Sequence, residues 1–241
     1  MRWSRGVACL VGVALSAVAC GDDAPGGGAA STVAISASAT TTMSSVALPR
    51  CGEVPSKSAE VPADCRLVSG DRAGQSFAVR HDGAPGRTVV TIEVFDRDGA
   101  RRQTVVERDT RTPNLPTLRD LDDDGRDELV VPLNTGVVNT TYAIYRATDA
   151  TPEFRRTGEL SGLGPEHTSS GYIAIAARDG AAHWDVGFWH FDDAQLLRVA
   201  TAHIDLTKDS NGKVSGTCAV DPEQAAAQFC AEPLVRQLLP S

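Results

Sequence analysis

The feature that most restricts the fold of this 241-residue chain is a series of short apolar runs, broken at close intervals by turns rich in Asp and Gly. Arg87 to Phe95 carries Val89, Val90, Ile92, Val94 and Phe95, and Asp96-Arg97-Asp98-Gly99 follows with turn chemistry. Arg101 to Val106 then returns, which makes a hairpin. Glu128 to Leu133 and Thr140 to Tyr145 form a second pair across Asn134-Thr135-Gly136. Tyr172 to Ala176 and Trp184 to Phe191 form a third across Arg178-Asp179-Gly180. Gln195 to Leu206 and Lys213 to Cys218 form a fourth across Asp209-Ser210-Asn211-Gly212. Such spacing predicts a mainly β domain of antiparallel hairpins, in a small propeller-like, sandwich or barrel arrangement. A short C-terminal helix is predicted from Asp221, with Asp221 as N-cap and Pro222 at the first helical position. Glu223 to Phe229 has helical composition, and Glu232 to Leu239 adds a second short helical turn.

The N-terminus carries a different signal. Arg2 and Arg5 precede an apolar stretch from Val7 to Ala19, too short for a stable membrane span. It ends in Ala17-Val18-Ala19-Cys20. Small residues followed by cysteine resemble the lipobox of bacterial lipoproteins, although leucine is more usual where Ala17 stands. The resemblance implies a signal peptide over 1–19 and a lipidated Cys20 that anchors the chain to a membrane surface. Ordinary secretion with cleavage after Ala19 is the alternative. Residues 20–50 then read as a tether, since Gly, Ala, Ser and Thr cannot bury enough surface to offset their ordering entropy. Thirty such residues span roughly 30 Å. Loss of Arg2 and Arg5 leaves 21 basic against 31 acidic residues, a net charge of −10. That sign argues against nucleic acid and suits a basic partner.

Residues 51–241 remain for the folded part, long enough for one domain with a substantial core. Cys51, Cys65, Cys218 and Cys230 lie in it, and an even count in an exported chain favours disulfides. Proximity favours Cys51–Cys65 and Cys218–Cys230 among the three possible pairings. No C-x-x-C spacing points to a metal instead. Neither H-E-x-x-H nor G-x-S-x-G occurs, and Gly74-Gln-Ser76-Phe-Ala78 lacks the second glycine of a nucleophile elbow. His190 sits in a strand pattern among aromatics, while His167 lies in the polar segment Gly164 to Gly171. Strand alternation sends Trp184, Phe188 and His190 to one face, and Trp189 and Phe191 to the other. One of these faces is core; the other is either core or a surface for a sugar or partner.

One interval is more than a turn. Asp120-Leu-Asp-Asp-Asp-Gly-Arg-Asp-Glu-Leu129 places Asp120, Asp122, Asp124 and Glu128 at offsets 1, 3, 5 and 9, with Gly125 at offset 6. Four carboxylates so close repel one another unless a cation neutralises them. A hard cation such as Ca²⁺ takes about six to eight oxygens at roughly 2.3–2.6 Å, and an alternating loop supplies them. Arg126 would add its backbone carbonyl. The loop is not an EF-hand, because offset 12 is Val131 rather than glutamate and no helical pattern flanks it. The stretch from Asp120 to Val131 resembles the calcium loop of FG-GAP/VCBS-type repeats, in which an aspartate-rich loop leads directly into a strand. That resemblance implies side-chain ligands at Asp120, Asp122, Asp124 and Glu128, and a carbonyl ligand at Arg126. Asp123 stands where glycine is usual, and Glu128 where aspartate is. The motif occurs once, so the full propeller of that family is not implied.

The order of elements after the loop is similar to periplasmic lipoproteins that carry a single calcium loop. These comprise a strand, Tyr142 and Tyr145, Phe154, then Gly158-Glu-Leu160. Some such proteins are immunity proteins that inhibit peptidoglycan hydrolases. The expected function is therefore that of a non-catalytic, calcium-binding lipoprotein in the bacterial cell envelope. It is expected to be lipid-anchored outside the cytoplasm and to bind an envelope protein or a cell-wall enzyme. An inhibitor of a cell-wall hydrolase is the first alternative. A cell-wall hydrolase is the second, and it requires a cleft in which histidine and carboxylate groups converge, for example His167 near Glu166 and Asp185.

Overall fold

The computed structural model describes residues 48–54, 61–193 and 195–240. The expected leader 1–19, the expected lipidation site Cys20 and the expected tether as far as residue 47 lie outside the described residues. Pro49 and Arg50, at the end of the tether, already touch the fold. The Pro49 carbonyl accepts from Arg66 N–H at 2.8 Å.

Thirteen strands fall into three antiparallel sheets among the described residues. The first sheet runs β1 (Cys65–Val68), β2 (Ser76–Ala84), β3 (Arg87–Phe95) and β4 (Arg101–Thr110). The second runs β5 (Thr117–Arg119), β6 (Glu128–Thr135), β7 (Thr140–Arg146) and β8 (Arg155–Gly162). The third runs β9 (Glu166–His167), β10 (Ile173–Arg178), β11 (His183–Asp192), β12 (Gln195–Lys208) and β13 (Val214–Asp221). Within each sheet every strand pairs with its neighbour in sequence, the meander connectivity of a propeller blade. Each sheet keeps two edges, so none closes into a barrel.

All four predicted hairpins form. β3 pairs with β4, β6 with β7, β10 with β11 and β12 with β13. A fifth hairpin joins β2 to β3 with Ala84 opposite Arg87, which leaves Pro85-Gly86 as its two-residue turn. Proline presets φ at the first of these positions, and Gly86 takes the φ of +74° that the second demands.

The period of two along the strands builds a stack. In β6, Leu129 and Val131 point toward the first sheet, where they meet Phe77, Val79, Ile92 and Val105. Val130 points the other way and packs with Ile144, Leu160, Ile173 and Ile175 between the second and third sheets. The second sheet is thus buried on both faces. In β10, Ile173 and Ile175 face the second sheet, whereas Ala174 and Ala176 face the C-terminal helices. Those helices are α1 (Ala226–Phe229) and α2 (Pro233–Leu238), preceded by a 3₁₀ turn at Glu223–Ala225. Phe229 stacks tilted on Phe188 at 4.4 Å. Asp221 is not the helix cap expected of it. It is the last residue of β13, opposite Thr201, and the helical turns begin after Pro222.

Aromatic alternation in β11 makes core on both sides. Trp184 and Phe188 join the helix-side cluster, and Trp189 and Phe191 join the cluster against the second sheet. The disulfides are Cys51–Cys65 and Cys218–Cys230, the pairing that proximity favoured. The first fastens the chain entry to β1. The second ties β13 to the end of α1.

Candidate metal centre

The acidic run is the connection between β5 and β6. Its ends are clamped by the Arg119–Glu128 strand pair. Its middle is pinned by Leu121, which is fully buried among Val130, Ile144 and Leu160. With both ends and one interior side chain fixed, Asp120, Asp122 and Asp124 turn to one side.

Asp120, Asp122 and Asp124 each present a carboxylate oxygen within 4.8 Å of the others. The backbone that brings them together needs two left-handed residues. Gly125 has φ +80° and Asp123 φ +59°. Glycine takes such angles freely, and Asp is one of the few other residues that tolerates them. Asp123 therefore adopts a glycine-like backbone. Asx-type bonds hold the turn: Asp120 Oδ2 accepts from Gly125 N–H at 3.0 Å, and Asp124 Oδ1 from Arg126 N–H at 2.8 Å.

Glu128 begins β6 and is completely buried. Its Oε2 accepts from Leu121 N–H at 2.8 Å. Burial above all, with the charges of Asp122 and Asp124, pushes this carboxyl up to about 8, against the pull of Leu121 N–H and Arg146. Burial likewise raises Asp122, opposed by Arg146 and reinforced by Asp124 and Asp120. Three oxygens in this cluster are buried without a hydrogen-bond partner: Asp120 Oδ1, Asp122 Oδ1 and Glu128 Oε1. A buried carboxylate oxygen left unpaired is costly, and a cation is the partner that satisfies several at once. The residues present fit a hard cation.

Arg126 contributes in a second way. Its side chain is buried and turns from the cluster, with Nη1 3.0 Å from Asp149 Oδ1 and Nε 3.4 Å from Asp71 Oδ2. Only its backbone carbonyl is left to offer as a ligand. Asp71 sits in the β1–β2 loop. Burial raises its carboxyl, but bonds from Asp127 N–H, Ser69, Ala73 N–H and Gly74 N–H outweigh this and hold it below the usual range. Asp127 in turn accepts from Ser69 Oγ at 2.8 Å and Gly70 N–H at 3.2 Å. The loop is thereby wired to the first sheet and to the β7–β8 connection.

Sequence reasoning did not identify Arg146. It ends β7, and its Nη2 lies 2.5 Å from Asp122 Oδ2 and 3.2 Å from Asp124 Oδ2. Its guanidinium also stacks over the Phe191 ring at 4.6 Å. One cation against the three gathered aspartates leaves the cluster net negative.

His167 and Glu166 do not converge with Asp185, as a hydrolase cleft built from those groups would need. Glu166 and His167 form β9, opposite Ala174 and Ile173, whereas Asp185 lies opposite Ala177 on the other side of β10. Three to four residues of strand, roughly 10–13 Å, separate those levels. Ser76 starts β2 as an ordinary strand residue opposite Phe95. His190 is exposed on β11.

No protein-family model matches this chain, and no curated protein does. Among solved structures, a Xanthomonas type IV secretion system related protein aligns with it at 12% identity and a TM-score of 0.37. That alignment covers 64% of this chain and 87% of the other. A likeness so distant carries no inference here. No helix among the described residues is long and apolar enough to cross a membrane. The two disulfides belong to an oxidising compartment, outside the cytoplasm.

Proposed function

We propose that this chain is an extracytoplasmic lipoprotein whose β-domain carries one structural Ca²⁺ site and acts as a non-catalytic binding module. The observation that carries the reading is the trio of unpartnered buried oxygens on Asp120, Asp122 and Glu128, in a loop that also gathers Asp124. Asp120, Asp122, Asp124 and Glu128 would hold the ion by carboxylates and Arg126 by its carbonyl, as in the FG-GAP/VCBS-type loop. The ion would supply positive charge where the three aspartates gather, with the buried Glu128 beside them. The loop residues, once neutralised, lock β5 against β6 and keep Leu121 seated between the second and third sheets. The lipobox ending at Cys20 supports attachment to a membrane of the bacterial envelope. The net charge of −10 left after removal of the leader supports a basic partner, such as an envelope protein or cell-wall enzyme.

Thermal unfolding of the purified protein with Ca²⁺ and with chelator tests the reading. Binding to the folded state alone stabilises by about 2.7 kcal/mol at a hundredfold excess over Kd, which is roughly 5–10 °C for a domain of this size. Asp122→Ala is expected to abolish the Ca²⁺-dependent part. Equal midpoints with and without Ca²⁺ would sink the proposal.

A further inference from the structure

A second cluster of potential ligands lies on the third sheet, away from the acidic loop. β11 and β12 pair so that His183 is opposite Asp205, and Asp185 opposite His203. Residues opposite one another share a face, as do residues two apart on one strand. The four side chains therefore form a checkerboard of two imidazoles and two carboxylates on a single face. Their other neighbours are small: Ala177 beside Asp185, Ala219 beside His203 and Thr217 beside Asp205. The patch is open, with His183 62% and His203 48% exposed. The opposite face of the same strands, carrying Val186, Ala202 and Ile204, is packed against the helices.

The hydrogen bonds set the chemistry of the rings. His203 Nδ1 lies 2.7 Å from Asp185 Oδ1, and His183 Nδ1 is bonded to Asp205 Oδ1. An ionised carboxylate only accepts, so each Nδ1 carries the proton. In its neutral form each ring then presents a bare lone pair at Nε2. A histidine whose Nδ1–H is held by a carboxylate while Nε2 stays free has the arrangement that supports metal-ligating imidazoles. Diagonal neighbours on paired strands have Cβ atoms within about 7–8 Å, a span two imidazoles can bridge to one ion at roughly 2.0–2.1 Å from each nitrogen.

We propose that His183 and His203 bind one divalent cation of the Zn²⁺ class through their Nε2 atoms, with Asp205 and Asp185 holding the rings in the ligating tautomer. Imidazole selects Zn²⁺, Cu²⁺ or Ni²⁺ over the hard Ca²⁺ that suits an all-oxygen loop, so the two sites differ in ion as well as in place. Two protein nitrogens leave half of a tetrahedral shell for water or for a donor from outside the domain. This site does not depend on the calcium reading.

Calorimetric titration of the purified protein with ZnCl₂ at neutral pH, with Ca²⁺ in excess to occupy the acidic loop, tests the proposal. The wild type is expected to bind one Zn²⁺ saturably. The His183→Ala/His203→Ala double variant should bind at least tenfold more weakly, with an unchanged melting midpoint in metal-free buffer because both side chains are exposed. Asp185→Asn with Asp205→Asn should weaken binding about tenfold, since that is what losing the supporting carboxylates costs a ligating histidine. No saturable Zn²⁺ binding by the wild type, or wild-type affinity in the double histidine variant, would overturn the site. Wild-type affinity in the aspartate pair would overturn the supporting role of the carboxylates.

Discussion

At the residue scale, Asp120, Asp122, Asp124 and Glu128 were legible because their spacing is local. The loop gathers the three aspartates through the backbone angles of Asp123 and Gly125 and its own Asx-type bonds. Arg146 was not legible. It lies 24 residues beyond Asp122, on the next strand, and only the β6–β7 pairing places it over the loop. The ion pairs of Arg126 with Asp71 and Asp149 were hidden for the same reason. Arg146 is the resident counter-charge of the metal-free loop. Arg146→Ala should destabilise the chelator-treated protein by about 1–3 kcal/mol, the cost of stripping charged hydrogen bonds from half-buried carboxylates. The loss should be smaller in Ca²⁺, because the ion then neutralises Asp122 and Asp124 itself. Thermal melts of the variant in both buffers measure the difference. Equal losses would show that Arg146 and the ion do not serve the same charges.

At the element scale, hairpins with an alternating apolar strand and a Gly/Asp turn were readable, and elements lacking that pattern were not. β8 reads Arg-Arg-Thr-Gly-Glu-Leu-Ser-Gly, with only Leu160 as an apolar marker. Its identity as a strand comes from contacts made elsewhere. A Cβ on Gly162 would stand 2.4 Å from the Ala176 carbonyl and 2.6 Å from Ile175, where the second sheet meets β10. Gly162→Ala is therefore expected to cost about 1–3 kcal/mol of stability, by overpacking that contact. A denaturant midpoint equal to wild type would mean that the contact gives way freely. β2 was readable in principle, from Phe77 and Val79 and the Pro85-Gly86 turn. Farther along β2, burial lowers His81 against the upward pull of Asp64, Ala63 and Asp82. A histidine lowered in the fold gives stability that is complete above its ordinary value of 6.5 and lost as pH falls through the folded value. Between pH 7.5 and pH 5 the wild type should lose stability that His81→Gln retains. Parallel pH profiles of the two proteins would contradict this.

At the scale of the whole molecule, the mainly antiparallel β class followed from strand count and turn spacing. The stack did not. Three meanders lie face to face, and the short helices cover the outer face of the third. Nothing local says which face of a strand meets which sheet. The doubly apolar run Leu129-Val-Val131 and the aromatic alternation from Trp184 to Phe191 were the hints that a strand would be buried on both sides. The position of the first matters for the function proposed. The acidic loop opens directly into the strand at the centre of the stack, so order at Glu128 is passed to both of the cores that flank β6. An ion bound at the loop is then a stabiliser of the whole domain and not of a surface turn. Direct calorimetric titration of the metal-stripped protein with Ca²⁺, run beside Glu128→Gln, tests this most closely. The account predicts one saturable site in the wild type and binding at least tenfold weaker in the variant. No saturable Ca²⁺ binding by the wild type, or equal affinity in Glu128→Gln, would contradict it.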